Sequence, residues 1–126
     1  MPFDQHDPLK ISLRDGTEQL SVLSEPFIVL FQRGDFSVEL FAPHETDSQQ
    51  PHQQDEVYIV ASGSGVFLRG EERVPFVHGD FLFVPAGVPH RFELFSKDFK
   101  TWVIFFGPKG GSGSTKVDSS SVTSPG

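Results

Sequence analysis

The chain is 126 residues long, 37% hydrophobic and 21% charged, with 14 phenylalanines and no cysteine. That length suits one compact domain with a real core, and the lack of cysteine excludes a disulfide framework, a thiolate metal site and a cysteine nucleophile. Lys and Arg total 10 against 17 Asp and Glu, a formal charge of -7 that repels phosphate backbones and sets nucleic acid aside as a partner. No apolar run approaches the roughly 20 residues that span a bilayer, and the acidic start is not a signal peptide. The expectation is a soluble cytoplasmic domain with no membrane partner.

Residues 11–25 read equally as an entry strand or a short helix, and the sequence leaves the two open. Beyond them, β-branched and aromatic runs at 27–31, 36–41, 57–60, 66–69, 81–84, 91–95 and 101–106 predict strands. Gly-containing connections at 32–35, 62–65 and 69–72 predict turns between them. No long period of 3.6 interrupts this stretch, and many short strands at close spacing predict a sandwich or barrel. From 108 the chain is rich in Gly and Ser and has too little apolar surface to offset ordering entropy. Residues 1–107 therefore read as a single domain with an N-terminal entry segment, and 108–126 as a flexible tail.

Two stretches carry chemistry. In the first, Gln50, His52, Gln54, Glu56 and Tyr58 alternate and would share one strand face. His52 and Glu56 on that face are good ligands for a divalent ion, or else a pair with no metal. In the second, a strand runs from Gly79 into the turn Pro85-Ala86-Gly87-Val88-Pro89, and His90 opens the next strand. With Arg91 and Glu93 toward water, His90 faces inward with Phe92 and Leu94 and needs a partner for its nitrogens. Glu56 buried without a cation would cost several kcal/mol or become protonated, which favours an ion beside it.

These stretches resemble the paired motifs of the cupin superfamily. The first motif falls on Gln50, His52, Glu56 and Gly63, and the second on Gly79, Pro85, Gly87 and His90, within a match over roughly residues 36–106. The resemblance implies an all-β, antiparallel jelly-roll barrel, or double-stranded β-helix, of the small single-domain kind often labelled mannose-6-phosphate-isomerase-like. That label describes a fold, not a reaction. Two positions depart from the family: Gln50 stands where its first histidine would be, and Leu94 where a late asparagine would be. His52, Glu56 and His90 then remain as a two-histidine, one-carboxylate set for Fe, Mn, Ni or Zn. Gln50 adds a weak oxygen ligand, hydrogen-bonds a bound water, or marks a barrel that has lost its metal.

Tyr58, the single tyrosine, reads either as a hydroxyl that orients substrate or donates a proton, or as packing. His44, His78 and His6 read as loop, turn and unpatterned-end residues outside the site. Val57 and Ile59, together with 101–106, put apolar side chains on an outward face, which a second subunit or the N-terminal segment would cover. The function these features predict is a metal-dependent enzyme of oxygenase or isomerase type acting on a small organic substrate, with Gln50 and Tyr58 as orienting groups. The alternative is a non-catalytic barrel that captures a small ligand, with or without metal.

Overall fold

The computed structural model describes residues 7–47 and 49–113. One helix, α1 (Leu13–Ser21), precedes eight strands: β1 (Phe27–Arg33), β2 (Phe36–Phe41), β3 (Asp55–Ser62), β4 (Ser64–Arg69), β5 (Glu72–Val77), β6 (Phe81–Val84), β7 (His90–Glu93) and β8 (Lys100–Phe106). They form a five-stranded sheet ordered β1-β2-β8-β3-β6 and a three-stranded sheet ordered β5-β4-β7. Every pairing is antiparallel. The predicted jelly-roll architecture is present.

Strict alternation along β8 shows how the sequence produces the two layers. Thr101, Val103 and Phe105 are buried, while Trp102, Ile104 and Phe106 are half-buried on the other face. Register with β3 places Tyr58 opposite Val103 and Glu56 opposite Phe105, so both point into the barrel. The core between the sheets is aromatic. Phe92 of β7 packs against Tyr58, Phe67, Phe76 and Phe99 with ring centroids 4.8–5.4 Å apart.

The open segment near the N-terminus is helical. Ser12 caps α1 by accepting the Asp15 backbone N–H at 3.0 Å. Gly16 lies so close to the five-stranded sheet that a methyl group there would sit 2.9 Å from Leu30 Cδ1 and 3.3 Å from Leu40 Cδ2. The helix thus covers part of the outer face, and Leu40 is completely buried. At the far edge of the same sheet Phe81 and Phe83 remain 63% and 36% exposed.

Three sequence expectations need correction. Strand β5 was not predicted: Pro75 lies within it, which an edge strand tolerates because its N–H side need not pair, and Phe76 is its one buried residue. Leu94 does not face inward with His90 and Phe92. β7 ends at Glu93, Leu94 adopts φ 51°, and its side chain is 81% exposed. The predicted shared face over 50–58 fails before Asp55, where β3 begins, because parity has no meaning in the loop that precedes it.

Of the segment 108–126, residues 108–113 are described. Gly110 N–H donates to Gln53 O at 2.7 Å, and Ser112 N–H to Asp55 Oδ2 at 3.0 Å. These two bonds fasten the segment to the barrel, and 114–126 lie outside the described residues, as does His6.

Candidate metal centre

Backbone hydrogen bonds bring the two motif stretches together. Gly87 N–H donates to His52 O at 2.8 Å, and Ala86 N–H donates to Asp55 Oδ1 at 2.9 Å. The turn at 85–89 is thereby fastened to the chain that enters β3. Gly87 has φ +80°, a conformation costly for any residue with a Cβ, which explains the glycine there. Gly63 is required twice over: its φ is +85°, and a Cβ would lie 2.6 Å from Phe99 Cα.

This framework assembles His52, Glu56 and His90. One ligating atom from each lies within 4.8 Å of the other two. His90 Nε2 stands 2.8 Å from Glu56 Oε1, and His52 Nε2 stands 3.9 Å from the same oxygen. The side chains of His90 and Glu56 are almost completely buried, whereas that of His52 is 34% exposed. His52 reaches the site from the loop rather than from β3, its ring resting edge-on against Phe105 at 4.8 Å.

Electrostatics decides what such a cluster can hold. His90 Nδ1 lies 2.9 Å from Val88 O. A carbonyl can only accept, so Nδ1 carries the proton and a neutral His90 turns its Nε2 lone pair toward Glu56. The buried side-chain atoms without a hydrogen-bond partner among the described residues are Glu56 Oε1, Glu56 Oε2 and His90 Nε2. Burial of orphaned acceptors is costly unless a proton or a cation lies between them. The donor set of two imidazoles and one carboxylate fits a divalent transition ion, and the backbone anchor on Nδ1 is the second contact that ligating histidines commonly make.

Proton affinities follow the same field. Burial lowers that of His90, but the neighbouring Glu56 carboxylate outweighs it and leaves the pKa raised. His52 is lowered, chiefly by burial, with Glu56 opposing. Burial and then the charge of Glu56 push the Tyr58 hydroxyl well above its ordinary value, so it remains protonated.

The predicted orienting residues separate. Tyr58 is fully buried and its hydroxyl donates to Gln49 Oε1 at 3.2 Å, while its ring packs with Phe67 and Phe92. Gln50 is exposed. It lines a concavity of about 530 Å³ on the His90 side with Asp47, Gln49 and Arg91. The glutamine that contacts the triad is Gln49, 3.2 Å from His52 Nε2. Gln54 turns away and donates to Asp35 O and Gly107 O at 2.6 and 2.9 Å. His44 and His78 are exposed.

Besides Gln49, three residues at the site escaped the sequence reading. Asp55 accepts from the Ala86 backbone N–H of the 85–87 turn and Asp47 from that of Phe92, groups that only folding brings near. Glu39, on β2, lines both concavities of about 480 and 440 Å³ that flank His52 and Phe105. Burial, reinforced by the charge of Glu56, raises its pKa to about 7. The signal in the sequence was a lone acid within the apolar run of β2.

Comparison with known proteins agrees with this architecture. Residues 37–105 match the family described as the cupin domain. An uncharacterised protein of Streptomyces coelicolor is 39% identical over 85 residues, covering 66% of this chain and 81% of its own. Acireductone dioxygenase of Sulfurihydrogenibium is 31% identical over 86 residues, covering 65% of this chain but only 47% of that enzyme. Among solved structures, a cupin superfamily protein of Desulfitobacterium hafniense superposes with a TM-score of 0.58 at 22% identity, covering 78% of this chain and 92% of its own. No helix among the described residues is long and apolar enough to cross a membrane. The match to the family over most of the barrel, and the barrel itself, make this chain a member of the cupin domain family.

Proposed function

We propose that the protein is a small metal-dependent cupin enzyme acting on a small organic substrate, by oxygenase- or isomerase-type chemistry. The observation that carries the reading is the orphaned trio Glu56 Oε1, Glu56 Oε2 and His90 Nε2, buried beside His52 Nε2. His52, Glu56 and His90 would hold Fe, Mn, Ni or Zn. When bound, the ion supplies Lewis-acid polarisation of a substrate oxygen and, if redox-active, oxygen chemistry. The likeness to acireductone dioxygenase supports the oxygenase branch.

The chain's own groups supply the rest. His52 is the ligand nearest solvent, so substrate enters through the concavities beside it. Phe41, Val103 and Phe105 give that entrance an apolar wall, and Glu39 and Glu25 give it acidic edges. An acidic rim disfavours phosphorylated substrates and suits a neutral or cationic one. Glu39, with a pKa near 7, is placed to give a proton to a ligand at the triad or take one from it. The same apolar wall supports a second reading, capture of a small ligand without turnover. A second copy of the chain is the proposed cover for Phe81 and Phe83, which α1 leaves bare.

Elemental analysis of protein purified without affinity tag or chelator tests the metal, with a His52→Ala/His90→Ala variant alongside. Near-stoichiometric Fe, Mn, Ni or Zn that disappears in the variant supports the centre. No metal in either protein, even after reconstitution, sinks it.

A further inference from the structure

The loop before β3 contains a hydrogen-bond chain that ends at the candidate metal centre. Asp47 is its anchor. Its Oδ2 accepts the Phe92 backbone N–H at 2.9 Å, on the strand that begins with His90. The same carboxylate accepts twice from Gln49, from the backbone N–H at 3.2 Å and from the side-chain amide Nε2 at 2.7 Å. A carboxylate cannot donate, so the amide of Gln49 has one orientation: nitrogen toward Asp47, oxygen toward the triad. Oε1 then lies 3.2 Å from His52 Nε2 and 3.2 Å from the Tyr58 hydroxyl that donates to it.

We propose that Gln49 supplies the fourth protein donor of the metal centre through Oε1, with Asp47 as the residue that positions it. The inference rests on His52, Glu56 and His90 holding a metal. If His52 ligates through Nε2, that nitrogen presents a lone pair and its proton resides on Nδ1. Gln49 Oε1 would then lose the imidazole as a donor and keep only Tyr58, leaving a second lone pair free for an ion held by the three side chains. An amide oxygen is a ligand for hard and borderline ions. The Tyr58 hydroxyl donates to the same oxygen and steadies the amide. Gln50, the neighbouring glutamine, is exposed and makes no such contact.

The experiment titrates metal-free protein with Mn²⁺ and with Co²⁺, reading affinity by calorimetry and coordination by the visible Co²⁺ absorption. Wild type, Gln49→Ala, Gln50→Ala, Asp47→Ala, Asp47→Asn and His90→Ala are compared, each with its thermal midpoint measured. Gln49→Ala is expected to weaken binding by about 10- to 100-fold and to shift the Co²⁺ bands, while Gln50→Ala leaves both unchanged. Asp47→Ala should reproduce the Gln49→Ala spectrum, and Asp47→Asn, which keeps an acceptor for the amide, should restore that of wild type.

Wild-type affinity and an unchanged Co²⁺ spectrum in Gln49→Ala overturn the inference, as does an equal loss in Gln50→Ala. Those results, with binding still lost in His90→Ala, leave the metal centre itself standing. A wild type that takes up neither ion overturns the metal reading on which the inference depends.

Discussion

Gly87 donates its backbone N–H to the carbonyl of His52 over 2.8 Å, so the turn that delivers His90 is attached to the residue that completes the cluster. His52 and His90 come within 5.4 Å, ring to ring, although one sits in a loop and the other opens a strand. Because the attachment is between backbone atoms, it survives changes of side chain at His52 and at His90. A ligand can therefore be removed without dismantling the frame.

Metal uptake should depend on pH in a defined direction. His90 has a raised pKa, and its proton competes with an ion for the space beside Glu56. Affinity for Mn²⁺ should rise as pH passes upward through that pKa, with protons released on binding. Without metal, the sign for stability is opposite. The contribution of His90 is present below its unfolded pKa and lost as pH rises through the folded one. Calorimetry in buffers of different ionisation enthalpy counts the protons, and proton-free binding at pH 6 would contradict the assignment.

Glu56→Gln should abolish metal binding without lowering the thermal midpoint of the metal-free protein at pH 8. With His90 neutral, Glu56 faces its Nε2 lone pair at 2.8 Å and the buried carboxylate oxygens have no hydrogen-bond partner, so an isosteric neutral amide removes a desolvated charge. A clear loss of stability would mean that Glu56 is held by interactions other than an ion.

Glu39 makes its own pH signature. Its pKa is raised from 4.5 to about 7, so between those values the unfolded chain has ionised while the folded one has not. Stability from this residue falls as pH rises across that window and remains lost above it. Glu39→Gln should therefore melt higher than wild type at pH 8 and equally at pH 4. Metal at Glu56 neutralises the charge that helps to raise Glu39, so loading should lower its pKa, measurable by carbon NMR of the carboxyl.

Phe92→Ala should cost about 3–5 kcal/mol, the usual range for an aromatic removed from a packed core. The ring is 1% exposed and contacts four aromatic neighbours closely. Chemical denaturation measures the loss. A value near 1 kcal/mol would show that the core can collapse around the gap.

Phe81→Glu should leave the barrel folded and convert any dimer to monomer in light scattering, because Phe81 is 63% exposed on the uncovered edge of the outer face. An unchanged molar mass in wild type and variant would remove that face as the interface.

Much of this protein could be read from local pattern. Alternation in 101–106 and 57–60 defines two-faced strands whatever surrounds them, because side chains along a strand point to opposite sides. The glycines at 63 and 87 stand where the backbone conformation resists a Cβ, and the motifs around them carry the cupin resemblance that implied His52, Glu56 and His90. Tertiary structure decided the rest, wherever a side chain's direction depends on a partner distant in sequence. Before Asp55 the chain is loop, where strand parity cannot choose between Gln49 and Gln50; the hydrogen bonds of Asp47 to Phe92 and Gln49 make that choice. Glu39 acquires its raised pKa only because the sheet brings β2 and β3 to the same interior, across β8. Within the 11–25 segment, Leu13–Ser21 is a helix because Ser12 caps it and Gly16 allows it to lie against Leu30 and Leu40. Local propensity left that segment balanced, and packing against the sheet supplied the difference.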